Sequence, residues 1–194
     1  MLRSILAAFV LLAAFSMPAS SAELGDDGLH KEDWFSITFR DIAEDIETAA
    51  AEGKRLAIVF EQRGCIYCAK MHEELLSDPE VRDFIKANFI VVQYNMFGDE
   101  EVTDLDGEVL TEKTAVRKWG YVFTPTIVFL PEEPPQDRSV GEAAVATMPG
   151  AFGKWTFLHM FQWVDDKGYE GEEHFQKYHA RKLDELRTAG RLNE

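Results

Sequence analysis

A chain of 194 residues, 46% of them hydrophobic, is long enough for one domain with a full core. Its formal net charge of -15 repels phosphate backbones and anionic lipid surfaces, so nucleic acid is not an expected partner. Two cysteines cannot make a disulfide framework, so packing must hold the fold.

The chain opens Met1-Leu2-Arg3, runs apolar from Ile5 to Phe15, breaks at Pro18 and reaches Ala19-Ser20-Ser21-Ala22. Small residues after an apolar run predict a secretory signal peptide over residues 1–22, with a mature, exported domain over 23–194. The run is shorter than the roughly 20 residues of a spanning helix, and no later segment qualifies. A protein not embedded in the membrane is therefore expected.

From Phe35 to Gly53 the residues Phe39, Ile42, Ile46 and Ala49 recur at helical spacing, which predicts an amphipathic helix. Leu56 to Phe60 is a continuous apolar run, as in a central strand covered on both faces. After Gly64, the positions Cys68, Met71 and Leu75 line a helical face up to about Leu76. Asp78-Pro79 then reads as an N-cap with proline at the first helical position, opening a helix to Asn88. Phe89 to Asn95 is the next strand.

The acidic, glycine-punctuated stretch from about 97 to 110 reads as a surface insertion. Thr111 to Trp119, stopped by Gly120, is a short helix, Thr126 to Leu130 a third strand, and Glu142 to Met148 an edge strand. Beyond Gly150 a helical extension over about 151–190 is expected, one helix rich in aromatics and one amphipathic from Glu172 to Leu186. This order of elements implies an α/β layer architecture.

Cys65 and Cys68 form a C-x-x-C at a strand-to-helix junction. Unpaired N–H groups and the helix dipole favour a thiolate on Cys65, while Cys68, one turn deeper, is placed to resolve a mixed disulfide. A purely structural bridge is a poor alternative, because closing so short a loop removes only about 2 kcal/mol of unfolded-chain entropy. Haem attachment needs histidine where Ala69 stands. A metal carrier would have to combine Cys65 and Cys68 with His72. His72 follows Cys68 by one turn, where it either tunes the thiol or, more simply, sits exposed on the surface.

The second feature is Thr124-Pro125-Thr126, directly before the third strand. With it the chain resembles the thioredoxin superfamily, in which a C-x-x-C at such a junction is joined by a later T-P-T. The resemblance implies a thioredoxin-like fold, a central mixed sheet flanked by helices, with extra terminal helices here. It also implies that Pro125 is cis, that the Thr124 backbone pairs with an extended substrate segment, and that the proline discourages metal capture. The run Phe60-Glu61-Gln62-Arg63-Gly64-Cys65-Ile66-Tyr67-Cys68, with Val91 to Asn95 and Phe123 to Thr126, resembles the exported SoxW-type thioredoxins of bacterial sulfur oxidation. That implies a cofactor-free periplasmic thiol/disulfide oxidoreductase acting on partner-protein disulfides, kept reduced by a membrane electron carrier of the CcdA class.

The chain departs from the pattern in two places. Ile66 and Tyr67 replace the usual Gly-Pro between the cysteines, a pair that helps set the reduction potential. The family's buried aspartate, six residues before the first cysteine, is Val59 here. Glu61 offers a substitute proton-transfer carboxylate, the plainer alternative being a solvated glutamate beside Arg63. A non-catalytic binding module with a fixed disulfide is a further alternative. Asp104-Leu105-Asp106-Gly107 fails the calcium-loop template, since Val102 and Lys113 fall at ligand positions, and reads as a solvated acidic loop.

Overall fold

The computed structural model describes residues 23–192; the expected signal peptide lies outside them. Strands β1 (Glu23–Leu24) and β2 (His30–Lys31) pair as a small antiparallel hairpin ahead of helix α1 (Ile42–Ala51). Strand β3 (Arg55–Glu61) follows and is buried at every position. Helix α2 (Ile66–Lys70) continues into a π-helical turn (Met71–Leu76), then α3 (Pro79–Asn88) and β4 (Phe89–Asn95). A hairpin of β5 (Glu101–Thr103) and β6 (Val109–Thr111) leads to α4 (Glu112–Trp119) and β7 (Thr126–Phe129). The chain ends with α5 (Val140–Ala143), β8 (Ala146–Pro149), α6 (Lys154–Asp165) and α7 (Phe175–Thr188).

The main sheet has the order β4-β3-β7-β8. β3 runs parallel to β4, with Arg55 opposite Phe89 and Glu61 opposite Asn95, and antiparallel to β7, with Phe60 opposite Thr126. Period-two alternation divides β3 between two cores. Leu56, Ile58 and Phe60 pack with Ile42, Ile46, Val116 and Trp119 from α1 and α4. Ala57 and Val59 face the opposite layer, with Met71, Leu75, Ile85, Phe157 and Phe161. Glu61 shares the parity of Val59 and so faces the layer that carries the cysteine helix.

Several elements differ from expectation for local reasons. The first helix begins at Ile42, not near Phe35: Arg40 adopts a left-handed conformation (φ 60°) and the Asp41 side chain caps the Glu44 N–H. Phe39 consequently stands 94% exposed. The stretch 97–110 is no simple surface loop, because Val102 and Leu105 of its hairpin enter the core. Asp104 is buried and accepts the Trp119 indole N–H (2.8 Å) and the Val140 amide (2.9 Å). Lys118 places its ammonium among Asp104, Asp106 and Glu108, which accounts for the acidic cluster without a calcium ion. The expected edge strand is shortened at its start, because Ser139 and Glu142 form a capping box that makes a turn of helix.

Helix α6 covers the sheet with Phe161 packed edge-on against Phe89 and Phe129, ring centroids 4.9 Å away in each case. Its aromatics belong to the core. Among the described residues no helix is long and apolar enough to cross a membrane.

Candidate active site

Gly64, at φ 72°, turns the chain from β3 towards the cysteine helix in a left-handed conformation that a Cβ would disfavour. Cys65 is the N-cap of α2, and its Sγ accepts the Cys68 N–H at 3.0 Å. That donor and the helix terminus behind it stabilise negative charge on Cys65. The two cysteines form a disulfide with Cα atoms 5.2 Å apart. Cys65 is 9% exposed and Cys68 1%, so the first residue is the more accessible of the two.

The Thr124–Pro125 peptide bond is cis, and the Thr124 hydroxyl donates to Cys65 Sγ at 3.4 Å. The loop before β7 therefore meets the helix mouth at the Cys65 sulfur. The Pro125 carbonyl is taken by the Gly150 N–H (2.7 Å), whereas no described residue hydrogen-bonds the Thr124 backbone. Ile66 and Tyr67 project outward, and Val122 and Phe123 beside the proline loop are exposed as well, leaving an apolar rim at the sulfur. On the other flank a groove of about 590 Å³ runs between Cys65, Ile66 and Arg63 on one side and Leu24, Gly28 and His30 of the N-terminal hairpin on the other.

Beneath the cysteines lies a buried ionic cluster. Glu61 is fully buried; its Oε1 bonds His72 Nε2 at 2.9 Å and accepts the Gln93 side-chain amide at 2.8 Å. His72 Nδ1 meets Glu32 Oε1 at 2.8 Å. Burial pushes the imidazole pKa down, but hydrogen bonds and charge from Glu32 and Glu61 prevail and raise it to about 9. His72 is thus an enclosed cation, not the exposed surface histidine expected. Nor is Glu61 solvated beside Arg63, whose guanidinium instead donates to the Asp26 and Asp27 carbonyls. Because carboxylates engage both His72 nitrogens, the residue has no lone pair for a metal, and the carrier alternative loses its third ligand. Among the described residues no group of three potential ligands is poised for an ion.

Cys65, Cys68, Thr124, Pro125, Ile66 and Tyr67 meet at one end of the sheet, with Glu61 below. Sequence reasoning missed Glu32 and Gln93. The parity of β3 was the available signal for Glu61: two residues after Val59, it must face the same side of the sheet. Nothing local in the sequence joins Glu32 to His72.

The sheet order, the cysteine helix and the cis-proline loop define a thioredoxin fold carrying a redox-capable cysteine pair. The family model for the thioredoxin-like domain matches residues 42–148, and the chain belongs to that family. Among solved structures, a thioredoxin-fold protein from Helicobacter pylori is similar at 19% identity, covering 75% of this chain and 97% of that one, with a TM-score of 0.56. A thioredoxin from Thermus thermophilus is 25% identical over 66% of this chain and 86% of that one, with a TM-score of 0.51. The search of curated proteins found no match.

Proposed function

We propose that the protein is an exported thiol/disulfide oxidoreductase that reduces disulfides of partner proteins. One observation carries this reading: Cys65 Sγ sits at a helix mouth, bonded to Cys68 and touched by the Thr124 hydroxyl beside cis-Pro125. The Cys65 thiolate attacks a partner disulfide, forming a mixed disulfide and releasing one partner thiolate. Cys68, after losing its proton, then attacks Cys65 Sγ; the Cys65–Cys68 bond forms and the second partner sulfur leaves. Two electrons pass to the partner; the Cys68 proton and one proton from solvent end on its two sulfurs. Glu61, buried on the same side of the sheet as the cysteine helix, is the carboxylate assigned to the Cys68 proton. The Thr124 backbone, which no described residue pairs, and the apolar rim of Ile66 and Tyr67 fit an extended substrate segment. The signal-like N-terminus and the SoxW-like run around the cysteines favour a periplasmic setting in bacterial sulfur oxidation. They favour a membrane donor of the CcdA class for the returning electrons.

Insulin-disulfide reduction tests the reading. Cys65→Ala abolishes turnover, and Cys68→Ala accumulates partner adducts on Cys65. Turnover retained by the Cys65 variant rejects it, and a bridge that resists mild dithiols with no exchange would favour a binding module.

A further inference from the structure

The N-terminal segment converges on the buried cluster at three consecutive residues. Glu32 bonds His72, Lys31 Nζ donates to Gln93 Oε1 at 2.9 Å, and the His30 carbonyl accepts from Gln93 Nε2 at 2.7 Å. Gln93 in turn donates to Glu61. Glu61 Oε2 is buried and meets no hydrogen-bond partner among the described residues, although Oε1 accepts twice. Two carboxylates can both accept from one histidine only when both ring nitrogens donate. The cluster is thus a bridged cation between Glu32 and Glu61, four residues beyond Cys68 along the same helix.

We infer that Glu32 is a positioning residue of the redox centre, which acts through His72 to set the proton linkage of the Cys65 and Cys68 couple. The inference rests on the exchange reading above but adds a residue from outside the matched thioredoxin-like segment, which starts at residue 42. The chemistry is local electrostatics. When the disulfide is reduced by glutathione, its S–S bond breaks, two electrons reach the two sulfurs, and two glutathione thiols become one glutathione disulfide. Their two protons pass to the new thiols or to solvent, according to how well the site stabilises thiolate. A cation one turn from Cys68 favours the thiolate, so losing that cation changes how many protons accompany the electrons. The groups facing His72 are Glu32 and His30 from the N-terminal segment and Glu61 from β3, and Cys68 precedes it by four residues in the chain. The His30 ring centroid lies 5.4 Å away and Phe35 closes the remaining side at 5.9 Å. Lys31 approaches no nearer than Gln93, and Asp27 takes another of its protons.

The experiment compares the wild-type chain with Glu32→Gln, Glu32→Asp and His72→Gln. It records the His72 imidazole titration by NMR and the reduction potential against glutathione from pH 6 to 10. In the wild type the imidazole titrates near pH 9 and the plot of potential against pH bends there. In Glu32→Gln both features move down by at least about one pH unit; Glu32→Asp, which keeps the charge, recovers at least half of that shift. His72→Gln removes the bend. A wild type with no bend near pH 9, a Glu32→Gln profile that superimposes on the wild type, no recovery in Glu32→Asp, or a bend that survives in His72→Gln would each overturn the inference. A glutamate that only holds the N-terminal segment in place would act through burial, and its effect would not track the carboxylate charge that Glu32→Asp keeps. Both readouts need no protein substrate, so failed insulin reduction would remove the exchange reading without deciding the role of Glu32.

Discussion

Deprotonating His72 would leave Glu32 and Glu61 aimed at a ring that can donate to only one of them. Stability is tied to that proton. The folded-state pKa of about 9 lies above the ordinary 6.5, so the cluster's contribution is complete below pH 6.5 and is lost as pH rises through about 9. The loss is on the order of 3 kcal/mol if the whole shift is expressed. Denaturant titrations at pH 6.5 and pH 10 should show wild-type stability falling across that window. His72→Gln should be less stable at the lower pH but nearly flat between the two. An equal fall in both proteins would show that other groups dominate. At this scale the meeting of the cysteines with Thr124 and Pro125 was legible from two local motifs, C-x-x-C and T-P-T, although 59 residues separate Thr124 from Cys65. The burial of His72 was not, since its partners lie 40 residues upstream and 11 upstream in the chain.

Among the elements, α3 and β4 follow the sequence residue for residue, because Asp78 and Pro79 mark the start and the apolar run Phe89 to Val92 marks the change of period. The start of α1 was obscured by a coincidence. Phe39 falls in the helical apolar spacing, yet Arg40 turns left-handed and breaks it. The hairpin β5–β6 was hidden by its acidic surroundings, and only the pairing of Asp104 with Trp119 and Lys118 explains how it enters the core. At the other end, α7 docks on α6 partly through His159 and His179, whose Nδ1 atoms lie 2.7 Å apart. Burial, then the His179 and Lys182 charges, push the His159 pKa down to about 4, and burial lowers that of His179. Both folded values lie below the ordinary 6.5, so this contact contributes fully above pH 6.5 and weakens as pH falls towards 4. Hydrogen-exchange protection in α7, corrected for intrinsic rates, should decline over that interval. His179→Gln should flatten the decline, and unchanged wild-type protection at pH 4.5 would contradict the account.

For the molecule as a whole, the alternation of helices and strands made the layered α/β class readable, while strand order and the split core required the fold. β3 joins them: its even-numbered residues serve one core and its odd-numbered residues the other, and Glu61 extends the second series beneath the cysteine helix. The terminal segments, outside the matched thioredoxin-like region, close both ends of this arrangement. Glu32 enters the buried cluster from one side, and Phe157 and Phe161 of α6 complete the core from the other. In the proposed exchange Cys65 is the reactive sulfur and Cys68 the shielded one. Alkylation of the reduced, folded protein with limiting iodoacetamide, followed by peptide mass spectrometry across pH, measures this directly. Selective labelling of Cys65 is expected, its half-maximal rate reached at a pH below the roughly 8.5 of a free thiol. Faster labelling of Cys68, or no labelling of either sulfur short of unfolding, would contradict it.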